Sequence, residues 1–397
     1  MELLNNKFEF SIKTNIRFGA GLTKDLPKII NEFPFKRVGF IIDGNLYDCL
    51  PWLQEVILNC KKNFDNVIVH LYREDFEPTY QFLDEVKLKF KKDKEPLVDC
   101  IVGIGGGSTI DSAKGVATLV TNHKNAIKYR GFPTNLNPSL PIITIPSTAG
   151  TGTEVTYNAV FIDQDTNKKL GINTKNNYPI LSIIDPEIVA TAPKSVAISS
   201  GIDALVHTLE SFVSKKSTYL TRLFAKEAFK LIVNTLPKLV ENLNDLELWS
   251  KMQLGASLAM ISLSNSSSGP AGGLSYLLGS NYKVCHGIAG GVFIGKISRI
   301  NHELGYYDYA QLYNLLDNAN PNITEKKERS NIVVSTVENL LNKLDIPDTL
   351  TPYGVSSRDF NIFYDFATNT LRESFALNPM EISNEKIKKL LTNMIGE

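Results

Sequence analysis

The stretch DCIVGIGGGSTIDSAKGVATLV, residues 99–120, constrains the chain more than any other. An apolar run closes on Gly103, Gly105, Gly106, Gly107 and Ser108, and helical periodicity begins near Thr109. Glycines at a strand-to-helix turn let backbone N–H groups approach a phosphate, and the helix N-terminus adds a dipole that favours negative charge. An isolated glycine pair is more often a plain tight turn. Three consecutive glycines, a serine and these flanks instead predict a cradle for a pyrophosphate, with Gly105, Gly106, Gly107 and Ser108 facing the cofactor.

The segments around it agree. RVGFIID (37–43) and NVIVHLY (66–72) are short β-type runs separated by longer amphipathic stretches, the pattern of a parallel sheet covered on both faces. From about Pro186 the period changes to 3.6 residues, as in LTRLFAKEAFKLIVNTL (220–236) and NIVVSTVENLLNKL (331–344). The expected fold is a Rossmann-like α/β dinucleotide-binding domain over residues 1–185 and an all-helical domain over residues 186–397. One polar stretch, SNSSSGPAGG (264–273), is expected to interrupt the helical part as a loop.

With 42 basic and 42 acidic residues and no long run of either sign, nucleic acid and anionic membrane surfaces are poor partners. Four scattered cysteines without a CxxC pair, and no basic-then-apolar leader, fit a reducing cytoplasm. No apolar run is expected to reach the roughly 20 residues that span a bilayer, so a soluble chain is expected.

Two further positions speak for a nucleotide. Asp43 ends its strand, where a carboxylate either accepts from a ribose diol and disfavours a 2′-phosphate, selecting NAD over NADP, or caps a solvated turn. IPSTAGTGTEVT (145–156) follows a second apolar run with Ser147, Thr148 and Thr151, small donors suited to phosphate or the nicotinamide carboxamide.

In SSGIDALVHTLESF, Asp203 and His207 stand four apart on an apolar helical pattern, close enough to share one cation. A salt-bridged histidine is the alternative, because metal sites need three or four ligands. Of the five histidines, His70 sits in an alternating strand and His123 in a polar turn, whereas His286 precedes glycines at the start of a helical run. His302 falls at a helix end, where an imidazolium interacts well with the dipole.

GIGGGSTIDSAKGVA, PSTAGTGTEVT, SGIDALVHTLESFVS and CHG follow in the order and approximate spacing of the iron-containing (group III) alcohol dehydrogenases, which the chain resembles over most of its length. The resemblance implies the dehydroquinate synthase-like architecture, an N-terminal dinucleotide-binding domain and a helical domain with a divalent metal, Fe²⁺ or Zn²⁺, in the cleft between them. It implies Asp203, His207 and His286 as metal ligands and catalytic residues. Asp111 and Lys169 join the cofactor-facing set, and a small-molecule alcohol or aldehyde is the substrate. A homodimer is expected from the family and from the frequency of closed symmetric pairs.

One family ligand has no counterpart. The histidine about fourteen positions before the late one falls on Gly272, or on Ser268 if GLSYLLG is aligned with a short insertion. A three-ligand site, a site completed by His302 or another residue, and a site without metal all remain open. In the last case a water chain, or a side chain such as Tyr276 or Lys169, would have to move the proton. GLSYLLG followed by HG is similar to the branch containing 3-deoxy-manno-octulosonate 8-oxidase, and the polar 264–273 segment points to a polyol, sugar or sugar-acid substrate. A dehydroquinate synthase-like lyase and a non-catalytic nucleotide-binding protein are the competing functions.

Overall fold

In the computed structural model, which describes residues 7–74, 77–166 and 168–395, one six-stranded parallel sheet organises the first half. Its strands are β1 (Asn15–Phe18), β2 (Arg37–Asp43), β3 (Asn66–Tyr72), β4 (Cys100–Gly105), β5 (Ile142–Pro146) and β6 (Leu181–Ile184). They lie in the order β1-β6-β5-β4-β2-β3. Side-chain alternation splits β2 between two cores. Val38, Phe40 and Ile42 meet helix α1 (Pro51–Asn63) through Leu53, Val56 and Ile57, while Ile41 meets helix α2 (Gly107–Thr121) through Ala113, Val116 and Val120. Burial on both faces is why these strands read as nearly continuous apolar runs.

The chain divides into two compact units. One comprises Ile12–Pro193 with Asn244–Gln253, and the other Lys194–Leu243 and Leu254 onward with the segment ending at Ser11. The second is built from α3 (Lys194–Val213), α4 (Tyr219–Leu239), α5 (Leu246–Ser264, shared with the first unit), α6 (Pro270–Tyr282), α7 (His286–Glu303), α8 (Lys326–Lys343) and α9 (Asn384–Ile395). Helix α3 is buried almost all round from Gly201 to Val213 and packs against α4 and α7.

Two expectations change. The segment 264–273 is not one loop, because α6 starts at Pro270 and takes in the following Ala-Gly-Gly; proline is well suited to a first helical turn, where its missing N–H costs nothing. And α3 is, by length and composition, apolar enough to cross a bilayer, although 78% of that window is buried within the fold. No continuous apolar run signals it, because Asp203, His207 and Glu210 interrupt the pattern.

Candidate functional site

At the carboxyl ends of neighbouring β4 and β5, two loops meet. The Ser147 N–H donates to Gly105 O at 2.9 Å. A Cβ on Gly107 would stand 2.9 Å from Thr151 Cγ2, and one on Gly106 would stand 3.3 Å from Thr148 Cγ2. Gly105 is held at φ +156°, where an added Cβ would strike the Thr109 side chain at 2.7 Å. No side chain caps the start of α2, so its first N–H groups are left for another acceptor. The sequence-predicted Gly105, Gly106, Gly107, Ser147, Thr148 and Thr151 thus come together at the carboxyl ends of the strands, the usual ligand position in open α/β sheets. Ser108 also bonds the Tyr72 phenol.

The other predicted cofactor residues have protein partners. Asp43 Oδ1 accepts the Leu46 N–H at 3.0 Å, so one oxygen is engaged in the turn after β2. Asp111 accepts from Thr153 Oγ1 at 2.6 Å and from the Val160 N–H at 2.9 Å, and burial pushes its carboxyl upward against the pull of Lys114. Lys114, fully buried, donates to Thr153 O and Oγ1 at 2.6 Å and to Asn158 O at 2.8 Å; burial lowers its ammonium to about 8. Asp111 and Lys114 therefore grip the far side of the 147–153 loop. Lys169 pairs with Glu77 at 2.6 Å.

In the helical unit, Asp203, His207 and His286 offer ligand atoms that all lie within 4.8 Å of one another. Asp203 Oδ1 is 3.5 Å from His207 Nε2 and 3.8 Å from His286 Nε2. The one-turn spacing on α3 aligns the first two. His286 is delivered by the glycine after it: a Cβ on Gly287 would sit 1.9 Å from Ser199 O and 3.0 Å from Asp203 Cβ, so only glycine lets α7 begin against α3. Asp203 and His207 are buried, and His286, 27% exposed, faces solvent. Donor atoms about 2.1 Å from a tetrahedral ion stand roughly 3.4 Å apart, so two imidazoles and a carboxylate at these separations fit a divalent transition metal after small adjustments.

Both positions at which the resemblance would place the absent histidine, Ser268 and Gly272, are bonded to a residue that the sequence reading missed. Glu210, fully buried on α3, accepts from the Gly272 N–H at 2.9 Å, the Gly269 N–H at 2.8 Å and Ser268 Oγ at 3.0 Å. Burial pushes its carboxyl upward while these donors oppose the shift. A Cβ on Gly272 would fall 2.8 Å from both Glu210 Oε2 and Ser268 Oγ. Neither alignment of the missing ligand therefore leaves an unengaged position. The 203, 207, 210 spacing puts all three ionisable groups on one helix face, but it does not reveal the backbone partners of Glu210.

His302 is not in the three-residue group, which is the metal-suited cluster among the described residues. It lies in the last turn of α7 as expected, but buried, with Nδ1 2.9 Å from Ser330 Oγ. Burial, then Arg299 and Lys327, hold its imidazole below the usual range, which corrects the expectation of a helix-end cation. Tyr276 stands over His286 with ring centroids 5.0 Å apart.

Two family models match the chain: iron-containing alcohol dehydrogenase over residues 13–186, and the C-terminal model of the Fe-containing alcohol dehydrogenase family over residues 197–395. The chain is similar to alcohol dehydrogenase 4 of Schizosaccharomyces pombe, at 28% identity over 378 residues, 94% of this chain and 86% of that one. It is 30% identical to a sulfoacetaldehyde reductase of Bilophila wadsworthia over 296 residues, 74% of this chain and 76% of the relative. The structure of sulfoacetaldehyde reductase from Bifidobacterium kashiwanohense in complex with NAD⁺ superposes with a TM-score of 0.88 over 98% of this chain and 99% of that one; at 20% identity this is a likeness of fold.

Proposed function

The chain belongs to the iron-containing alcohol dehydrogenase family, and on that premise we propose that it is an NAD-dependent oxidoreductase moving hydride between the cofactor and a small alcohol or aldehyde. The observation that carries the reading is the Asp203, His207 and His286 cluster in a chain that also presents the glycine loop. Bound there, a divalent cation supplies a Lewis acid for the substrate oxygen, and NAD supplies the hydride acceptor. Asp203 contributes the charge and the two imidazoles complete a donor set suited to either Fe²⁺ or Zn²⁺. Gly105 to Ser108 and the α2 N-terminus hold the pyrophosphate, Ser147, Thr148 and Thr151 flank it, and the second oxygen of Asp43 meets the ribose.

Family membership favours the dehydrogenase over the synthase-like lyase and over plain nucleotide binding. A polar substrate, such as a polyol or sugar acid, is favoured by the serines that precede α6 and by the sulfonated substrate named for one relative. A homodimer is supported by β1, which ends the sheet with Ile16 and Phe18 exposed, a row that a second chain can cover. Four cysteines without disulfides fit a cytoplasmic setting.

The test is metal per chain by elemental analysis alongside NAD reduction with a panel of alcohols. About one Fe or Zn per chain is expected, with metal and turnover both lost in Asp203→Ala while NAD binding persists. Turnover that survives in the metal-free variant would overturn the metal-assisted reading.

A further inference from the structure

Helix α6 carries no histidine, yet one of its side chains touches the cluster. Ser275 is fully buried, and its Oγ lies 2.6 Å from Gly272 O and 2.9 Å from His286 Nδ1. A serine hydroxyl has one hydrogen, and a carbonyl oxygen has none to give. A 2.6 Å oxygen–oxygen contact is tenable only with that hydrogen between the atoms, so Ser275 donates to Gly272 O. Toward His286 the hydroxyl can then only accept, and Nδ1 must carry a proton. In the neutral ring this leaves Nε2 bare, and Nε2 is the atom facing Asp203 Oδ1.

We propose that Ser275 is a positioning residue that fixes His286 in the Nδ1–H tautomer and aims its Nε2 lone pair into the three-residue cluster. Glu210 supports the device from the other end, because it binds the N–H groups of Gly269 and Gly272 and so sets where α6 begins. The helix serves the site through the Ser275 hydroxyl. His207 has no such device: its buried Nδ1 has no hydrogen-bond partner. The consequence for metal binding rests on the metal reading above, whereas the tautomer does not.

The test uses the full-length protein, freed of metal with a chelator and labelled with ¹⁵N-histidine, with His286 signals assigned by their loss in His286→Gln. Long-range ¹H–¹⁵N spectra are expected to show the Nδ1–H form of His286 in the parent and in Ser275→Thr, and its loss in Ser275→Ala. Zn²⁺ titration against a chromophoric chelator is expected to show affinity falling about 10–100-fold in Ser275→Ala, the usual effect of removing a partner behind a histidine ligand, with recovery in Ser275→Thr. An unchanged tautomer in Ser275→Ala overturns the proposal. A changed tautomer with unchanged Zn²⁺ affinity overturns its bearing on the metal. Parent protein that takes up no Zn²⁺ defeats the metal reading, while the metal-free spectra still decide the role of Ser275.

Discussion

The Gly272 N–H donates to Glu210 Oε1 at 2.9 Å, and a Cβ on that glycine would lie 2.8 Å from the carboxylate's other oxygen. A side chain at 272 therefore requires the Glu210 carboxylate and the Ser268 hydroxyl to move. Gly272→Ala is expected to destabilise the protein by about 1–3 kcal/mol, as overpacking does, with an unchanged denaturant slope. Gly272→His is expected to lower the unfolding midpoint further without tightening metal; tighter metal in that variant would show that Glu210 yields its place readily.

Gly107 meets the opposing loop at Thr151, so Gly107→Ala should push the two loops apart. Steady-state kinetics should show KM for NAD rising about tenfold or more, the 1.4 kcal/mol scale of a modest misfit, with a smaller change in KM for the alcohol. Equal changes in both would place the loop's role elsewhere.

Lys114, fully buried, and Asp111, whose side chain is 13% exposed, stand 3.8 Å apart, and both hold Thr153. Lys114→Met is expected to cost about 3–5 kcal/mol, because it strands a buried carboxylate. Adding Asp111→Asn should recover part of that loss in a double-mutant cycle by urea unfolding. Strict additivity would mean that the two groups act independently.

How much of this the chain announced depends on which groups make the contacts. The limits of β2 and β3 were readable to the residue, since alternation and the flanking polar residues mark both ends. The clustering of Asp203, His207 and His286 was readable through the resemblance, which implied all three as ligands; spacing alone left the first pair open between a salt bridge and a metal site, and the glycines after His286 marked only a site-like setting. Glu210 and Ser275 escaped because their partners are backbone groups of Gly269 and Gly272, and a backbone N–H or C=O leaves no mark in a residue pattern. The helical start at Pro270 was missed for a related reason: glycines and serines read as loop, and what holds them in a helix is the tertiary cap from Glu210.

His70, in β3, supplies a pH prediction. Burial, then the Lys89 ammonium, lowers its imidazole to about 4, so the folded state stays neutral where the unfolded chain, near 6.5, takes up a proton. Its contribution to stability is complete above pH 6.5 and is lost as pH falls from 6.5 toward 4. His70→Leu is expected to flatten the loss of stability over that window, and to stabilise the fold at pH 5, because the buried Nε2 has no hydrogen-bond partner. Urea midpoints that track the parent between pH 7 and 4 would refute this.

Helix α3 has the length and composition of a bilayer-crossing segment, and its Asp203, His207 and Glu210 sit in its middle and second half. A single aspartate at the centre of such a segment raises the free energy of insertion by about 2.5–3.5 kcal/mol. Asp203 and His207 of the cluster, together with Glu210, thereby disfavour partitioning of the newly made segment into lipid. They favour its packing among the helices of its own chain, where 78% of the apolar window is buried.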